Sequence, residues 1–245
     1  MVQPDPRFGA AARTGTTARE GIDEGLRAFM LGIYNNMALG LAITAIAALA
    51  TSYMATTNPA VAQALYGSPL KWVVMFAPLA FVFGFSATVN KMQPATARLV
   101  FFAFSAVMGI SISWIFLVYT SASIAQTFFV TSAAFAGLSL WGYTTKKDIS
   151  AWGSFLIMGV IGLILAMIVN LFLQSSALQF AVSGLGVLIF AGLTAYDTQN
   201  LKNTYDFVAG DSTAAGRVSV IGALRLYLDF LNLFMFLLHF MGGRE

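Results

Sequence analysis

The sequence predicts an all-α membrane protein, a bundle of seven transmembrane helices. Of its 245 residues, 58% are hydrophobic and only 9% are charged, whereas a typical soluble protein has about 25% charged residues. The mean hydropathy is +0.79. Thirteen basic and ten acidic side chains cannot give a 26.2 kDa globule a polar surface. We therefore expect most of the surface to face lipid.

Seven apolar stretches are long enough to cross a bilayer, whose hydrocarbon core requires roughly 20 residues of helix. None of them alternates polar and apolar residues as the strands of a membrane β-barrel do. Helices also satisfy their own backbone hydrogen bonds in lipid. In chain order, the predicted spans are residues 32–54, 70–90, 97–119, 124–143, 153–173, 177–197 and 219–241.

Turn-forming residues separate these spans. The first loop closes on Gly67-Ser68-Pro69, and Met92-Gln93-Pro94 forms the second. The fourth loop contains Thr144-Thr145-Lys146-Lys147-Asp148, and Gln174-Ser175-Ser176 forms the fifth. The longest internal loop is predicted to be polar and to run from about Gln199 to Arg217.

The N-terminal segment differs from the rest of the chain in composition. Residues 1–27 contain Gly, Ala, Thr, Arg and acids but no apolar core, which predicts a disordered cytoplasmic tail. Residues 28–243 form the predicted seven-helix transmembrane domain. No small-residue cleavage site follows a short apolar run, so we expect no cleaved signal peptide.

The basic residues predict the orientation, because cytoplasmic loops are enriched in Lys and Arg. Two of them, Lys71 and Arg244, fall on one side of the predicted spans. Ten fall on the other side: Arg7, Arg13, Arg19, Arg27, Lys91, Arg98, Lys146, Lys147, Lys202 and Arg217. The N-terminus is therefore predicted to be cytoplasmic and the C-terminus to lie outside.

Composition also excludes several kinds of site. The chain has no cysteine and one histidine, His239, so it can form neither a disulfide nor a multi-histidine metal centre. The net charge is +3, but the basic residues are scattered at span ends and form no nucleic-acid patch. We expect no resident cofactor and no nucleic-acid partner.

Two acidic residues lie where lipid is expected. Asp197 ends the sixth span, and Asp229 lies well inside the seventh. A charge at the centre of a membrane helix costs at least about 2.5–3.5 kcal/mol, so such residues usually mark an ion or proton path. Asp229 shares one side of its helix with three other polar residues, Arg225, Asn232 and His239. This stripe predicts that the seventh helix lies inside the bundle.

The sequence leaves open whether the two acids meet. If they do, they would share a proton and titrate as a unit; when deprotonated, they would offer the hard oxygens that calcium prefers. Other interpretations remain for each residue. Arg225 precedes Asp229 by one helical turn and could simply neutralise it, and Asp197 could extend to the membrane surface from the end of its helix. His239 fits an interfacial packing role better than that of a ligand.

The motifs around both acids resemble those of the Bax inhibitor-1 (transmembrane BAX inhibitor motif) family. Ala195-Tyr196-Asp197-Thr198-Gln199 and Leu226-Tyr227-Leu228-Asp229-Phe230-Leu231-Asn232-Leu233-Phe234 carry the resemblance. Phe135-Ala136-Gly137-Leu138-Ser139 is similar to the central stretch of the family, and Tyr34-Asn35-Asn36-Met37-Ala38-Leu39-Gly40-Leu41 to its first span. The resemblance covers the whole chain except the tail.

This resemblance implies a seven-helix bundle with the last helix at its centre and a pH-sensitive calcium leak. Asp197 and Asp229 match the hydrogen-bonded aspartate pair that senses the proton. Lys91 occupies the place of a basic residue that can latch onto the first of these acids, although lysine cannot form the bidentate fork of an arginine. Arg225, for which the family pattern suggests an uncharged residue, would favour ionised Asp229. The similarity to bacterial members implies a location in the inner membrane.

Two other functions compete with a leak. Bacterial relatives are associated with restraining a membrane-bound AAA protease, so the chain could instead be a non-transporting modulator that acts through a tail such as residues 1–27. An intramembrane aspartyl protease would also use two membrane acids. However, those enzymes carry Gly-x-Gly before the second acid, and here Leu226-Tyr227-Leu228 precedes Asp229. We therefore expect no enzymatic activity.

Overall fold

Seven long helices make up most of the chain that the structure describes. The computed structural model describes the backbone of residues 6–243 and the side chains of residues 24–243. The helices are α1 (Pro6–Thr57), α2 (Leu70–Thr88), α3 (Pro94–Ile112), α4 (Ser121–Thr144), α5 (Trp152–Leu173), α6 (Ser176–Val208) and α7 (Ser212–Met241). All seven are long and apolar enough to cross a membrane. The predicted seven-helix membrane fold is thus confirmed.

Short turns connect the long helices, and local side chains fix several of the helix ends. Between α1 and α2, Pro59–Ala62 is α-helical and Gln63–Gly67 is π-helical. Thr120 and Ser175 cap α4 and α6, since each side-chain oxygen accepts a hydrogen bond from the backbone N–H three residues later. Asp211 caps α7 in the same way. These caps satisfy backbone donors that a helix start leaves without partners.

The last connection is much shorter than the sequence predicts. Helix α6 continues to Val208 and α7 begins at Ser212, so the predicted loop from Gln199 to Arg217 is wrong. Only three residues, 209–211, join the two helices. Both helices continue beyond their apolar spans as further helical turns of polar residues. Hydropathy missed these turns because it locates the apolar part of a helix and not its end.

Helix α1 starts inside the segment that composition assigns to the tail. Its backbone is helical from Pro6, and the part whose side chains the structure describes, Glu24–Thr57, is long and apolar enough to cross a membrane. The side chains of residues 1–23 lie outside the described ones. The division of the chain at residue 27 into tail and domain therefore stays a prediction.

Helix α7 is the centre of the bundle. It packs against α1, α3, α4 and α6. Two thirds of its most apolar stretch is buried, against at most one third in any other span. The other helices expose large apolar side chains such as Phe155 and Phe172, which suits a surface that faces lipid. A bilayer thus surrounds a core built around the seventh helix, as both the polar stripe and the family resemblance predict.

Two glycines allow close helix crossings near the acids. A Cβ atom at Gly142 of α4 would collide with the backbone carbonyl oxygen of Ala195 in α6. A Cβ atom at Gly186 of α6 would meet the ring of Phe236 in α7. Small residues of this kind let membrane helices approach closely, and here they hold α6 between α4 and α7.

Successive spans alternate in direction, so the basic loop residues gather at one end of the bundle. We call it the basic end and define it by Arg27, Lys91, Arg98, Lys146 and Lys202. At this end the Lys202 ammonium donates to the backbone oxygen of Tyr143 at 2.8 Å. The side of the membrane that this end faces stays a prediction.

Candidate functional site

The register between α6 and α7 brings Asp197 and Asp229 together. The rings of Phe190 and Phe236 stack with centroids 5.7 Å apart, and the Leu201 side chain packs at Gly222. Asp197 follows Phe190 by seven residues, and Asp229 precedes Phe236 by seven. Seven residues are about two helical turns, so each acid lies on the same face as its phenylalanine. The two acids therefore face each other between these contacts.

The two side chains interact directly. Their carboxyl groups lie within hydrogen-bonding reach of each other. Asp197 is half-buried, whereas Asp229 is only 5% exposed. Ionised carboxylates only accept hydrogen bonds, so a bond between two of them requires a proton on one. One shared proton would therefore make this contact a hydrogen bond.

One oxygen of this pair is unsatisfied. Oδ2 of Asp229 is the one buried side-chain oxygen or nitrogen in the described part of the chain that has no hydrogen-bond partner. An unpartnered buried polar atom is costly, and in a native structure it often marks a functional group or an ion that has yet to bind. This oxygen is available to a proton, a water molecule or a cation.

Arg225 interacts with both acids from a distance. It lies on α7 one turn before Asp229, its side chain is exposed, and it attracts both carboxylates electrostatically. Among residues 24–243, no hydrogen bond or close ion pair joins its guanidinium to either acid. The arginine thus supplies a positive field at the pair without covering it.

Hydroxyl groups connect the neighbourhood of the pair to α1. The Ser139 hydroxyl lies 2.6 Å from the hydroxyl of Tyr34 and 2.9 Å from that of Thr198. We call Tyr34, Ser139 and Thr198 the hydroxyl chain. It links α1, α4 and α6 and ends on the residue next to Asp197. A second contact joins Tyr227 of α7 to Thr44 of α1, with hydroxyls 2.6 Å apart.

Gln199 fastens the loop between α4 and α5 to α6, two residues after Asp197. Its amide nitrogen donates to the Lys147 carbonyl at 2.8 Å, and its amide oxygen accepts from Ile149 N–H at 3.0 Å. Within this loop, hydrogen bonds from the Ser150 side chain and backbone N–H hold the pKa of Asp148 below its ordinary value. The loop is thus ordered at the basic end of the site.

Other predicted site residues lie away from the pair. Lys91 is exposed in the 3-10 turn Val89–Lys91 that follows α2, and α2 packs on α3; no described hydrogen bond or ion pair joins it to Asp197. Asn232 donates to the Leu228 carbonyl of its own helix at 2.8 Å. His239 packs against the rings of Trp114 and Tyr119. The polar stripe therefore contributes Asp229 and the nearby charge of Arg225.

The donor set fits a transient cation better than a resident metal. Calcium takes six to eight oxygen ligands, and the pair offers two carboxyl groups. The described residues contain no group of three or more His, Cys, Asp or Glu side chains that could hold a metal ion. A cation at this pair would need water or backbone oxygens as its other ligands.

Sequence reasoning missed the hydroxyl chain and the two hydrogen bonds by which Gln199 holds the loop between α4 and α5. The members of the hydroxyl chain lie 59 and 105 residues apart along the chain, and serine and threonine in membrane helices commonly bond to their own helix. The contact between Tyr227 and Thr44 could have been anticipated, because a tyrosine hydroxyl deep in an apolar span needs a hydrogen-bond partner.

Residues 26–245 match the family model described as "Inhibitor of apoptosis-promoting Bax1". The chain is 49% identical over 233 residues to an uncharacterized protein of Caulobacter vibrioides, covering 91% of this chain and 92% of that protein. It is 43% identical over 223 residues to the inner membrane protein YbhL of Escherichia coli K12, covering 90% and 94% of the two chains. An uncharacterized protein of Rickettsia prowazekii is 42% identical over 95% of this chain and 96% of its own length.

Proposed function

The chain belongs to the Bax inhibitor-1 family of integral membrane proteins, and from this premise we propose that it is a pH-sensitive calcium leak controlled by Asp197 and Asp229. One observation carries the proposal. Two acids from adjacent membrane helices meet inside the bundle, and one carboxyl oxygen there has no partner. Charged groups in such a place are costly and are retained for ion or proton transfer.

The pair suits a divalent cation when both carboxyls are ionised. Two carboxylates supply two negative charges and up to four hard oxygens. When the pair holds one proton, one oxygen of each carboxyl is engaged in the hydrogen bond between the acids, and the pair keeps only one negative charge. Cation binding and proton binding therefore compete for one site. This competition is the proposed source of the pH sensitivity.

The surroundings of Asp229 support transport rather than peptide hydrolysis. Leu226 and Tyr227 are fully buried beside it, so these bulky side chains fill the space that an extended substrate backbone would need. We therefore propose that the chain is not a protease. The modulator alternative depends on the tail, most of whose side chains (residues 1–23) lie outside the described residues, and a protease partner stays a prediction.

Calcium flux through the purified full chain tests the proposal. Proteoliposomes loaded with a calcium-sensitive dye should take up external calcium faster than protein-free vesicles of the same lipid. The uptake should increase in proportion to the number of chains per vesicle. Equal rates with and without protein would contradict the proposal and leave a membrane protein without transport activity.

Calcium affinity should depend on pH. A calcium ion requires both carboxylates, so its binding displaces the shared proton, and metal sites that release protons bind more tightly as pH rises. At every pH at which the pair still holds its shared proton, we expect the apparent dissociation constant for calcium to fall by up to about tenfold per unit rise in pH for one released proton. Calorimetric titration in detergent measures this slope. A dissociation constant that is independent of pH would contradict proton competition.

A further inference from the structure

A groove opens sideways between α1 and α4 near the basic end. Helix α1 packs on α3 and α7, whereas α4 packs on α6 and α7. In the described part of the chain, α1 and α4 make almost no direct helix contact. The space between them is a cavity of about 470 Å³. Its walls include Arg27, Leu31 and Tyr34 of α1 and Phe135, Ser139 and Tyr143 of α4; we call it the lateral groove.

The lateral groove is apolar and faces the bilayer. Leu31 is 50% exposed, and Leu140, which also lines the groove, is 63% exposed. Its inner wall is closed by the ring of Phe135, which packs on Phe230 of α7 with centroids 5.5 Å apart, and by the Tyr34–Ser139 hydrogen bond. Arg27 and Tyr34 are seven residues apart, or about 10 Å along α1. One leaflet of the hydrocarbon core is roughly 15 Å thick, so the groove matches the upper part of an acyl chain.

A positive charge lies at the end of the groove where a lipid headgroup would be. Arg27 is exposed and lines the cavity. Within the part of the chain whose side chains are described, no hydrogen bond or ion pair engages its guanidinium. The nearest acid along α1, Glu24, does not line the cavity. A guanidinium is well suited to bind a phosphate through two parallel hydrogen bonds.

We propose that the lateral groove binds one anionic phospholipid, with the headgroup phosphate on Arg27 and an acyl chain between α1 and α4. The apolar walls suit the acyl chain of the lipid, and the arginine suits the phosphate of its headgroup. Arg27 also favours a lipid with net negative charge over a zwitterionic lipid, because the ammonium group of the zwitterionic lipid offsets the attraction between its phosphate and the guanidinium.

The bound lipid would touch the hydroxyl chain. Tyr34 forms part of the groove wall and begins the series that runs through Ser139 to Thr198, beside Asp197. An acyl chain packed on Tyr34 therefore lies two hydrogen bonds from the residue next to the acid pair. Lipid binding itself does not depend on calcium transport.

Native mass spectrometry of the full chain, purified and delipidated in detergent, tests the proposal. The probes are phosphatidylglycerol and phosphatidylcholine with identical acyl chains. We expect phosphatidylglycerol to bind about fivefold more tightly, the effect of about one cation near the membrane surface. Arg27→Gln should remove this preference. Arg98→Gln, which changes an exposed arginine at the same end but outside the groove, should keep it.

Filling the groove separates the role of the walls from that of the charge. Leu31→Trp should weaken binding of both lipids while Arg27 remains. Equal binding of the two lipids by the unmodified chain would overturn the proposal, as would a preference that survives Arg27→Gln. A preference lost equally in Arg98→Gln would show general attraction to the basic end instead of a site at Arg27, and would also overturn it.

Discussion

Replacing Asp197 and Asp229 together by asparagine should abolish calcium flux and leave the bundle folded. Asparagine has nearly the same shape as aspartate and can still hydrogen-bond, but it carries no charge and exchanges no proton. At an effective dielectric constant near 20, two opposite unit charges about 4 Å apart, such as a carboxylate and one charge of a calcium ion, attract each other by roughly 4 kcal/mol. Removal of both carboxylates should therefore reduce flux at least about 100-fold.

A matched control is available on the same helix. Asp206→Asn changes an exposed acid of α6, nine residues after Asp197, and should leave flux unchanged. Circular dichroism and the melting temperature should show that both proteins are folded. If the double variant carries calcium at the unmodified rate, the acid pair does not control the ion path. The pH dependence of calcium binding should disappear in the same double variant.

Hydropathy was sufficient for the fold because lipid imposes simple requirements on a chain. Each span must be apolar and helical, so all seven could be located from composition and turn residues. The central position of α7 also followed from physics, since a helix that carries Asp229 is costly to expose to lipid. Helix ends outside the bilayer leave no such signal, and α6 continues through Gln199 to Val208 despite its polar sequence.

The meeting of the two acids could not be derived in the same way. An end of α6 near residue 197 places Asp197 at the membrane surface and Asp229 deep inside, which leaves their contact undecided. The actual register depends on side chains of both helices, such as Phe190 and Phe236, and on the approach allowed at Gly186. A helical wheel gives the direction of one residue but does not identify its partner on another helix. Asn232 shares the polar side of α7 and bonds to its own helix.

Substituting alanine for Gly142 should loosen the crossing between α4 and α6. The added Cβ atom would collide with the Ala195 carbonyl oxygen, and backbone yields less readily than the end of a flexible side chain. Overpacking of this kind costs about 1–3 kcal/mol. In a chain of this size, that corresponds to a fall in melting temperature of roughly 2–4 °C for each kcal/mol. Thermal unfolding in detergent measures the change.

Gly137→Ala is the matched control, because it makes the same substitution on the same helix. A Cβ atom at Gly137 meets nothing within 4 Å, and alanine is a better helix former than glycine by about 0.5–1 kcal/mol. Its melting temperature should therefore stay the same or rise slightly. Equal melting temperatures for the two variants would mean that the crossing at Gly142 tolerates a methyl group. Since Ala195 lies two residues before Asp197, a shift of α6 at this crossing should also change the geometry of the acid pair.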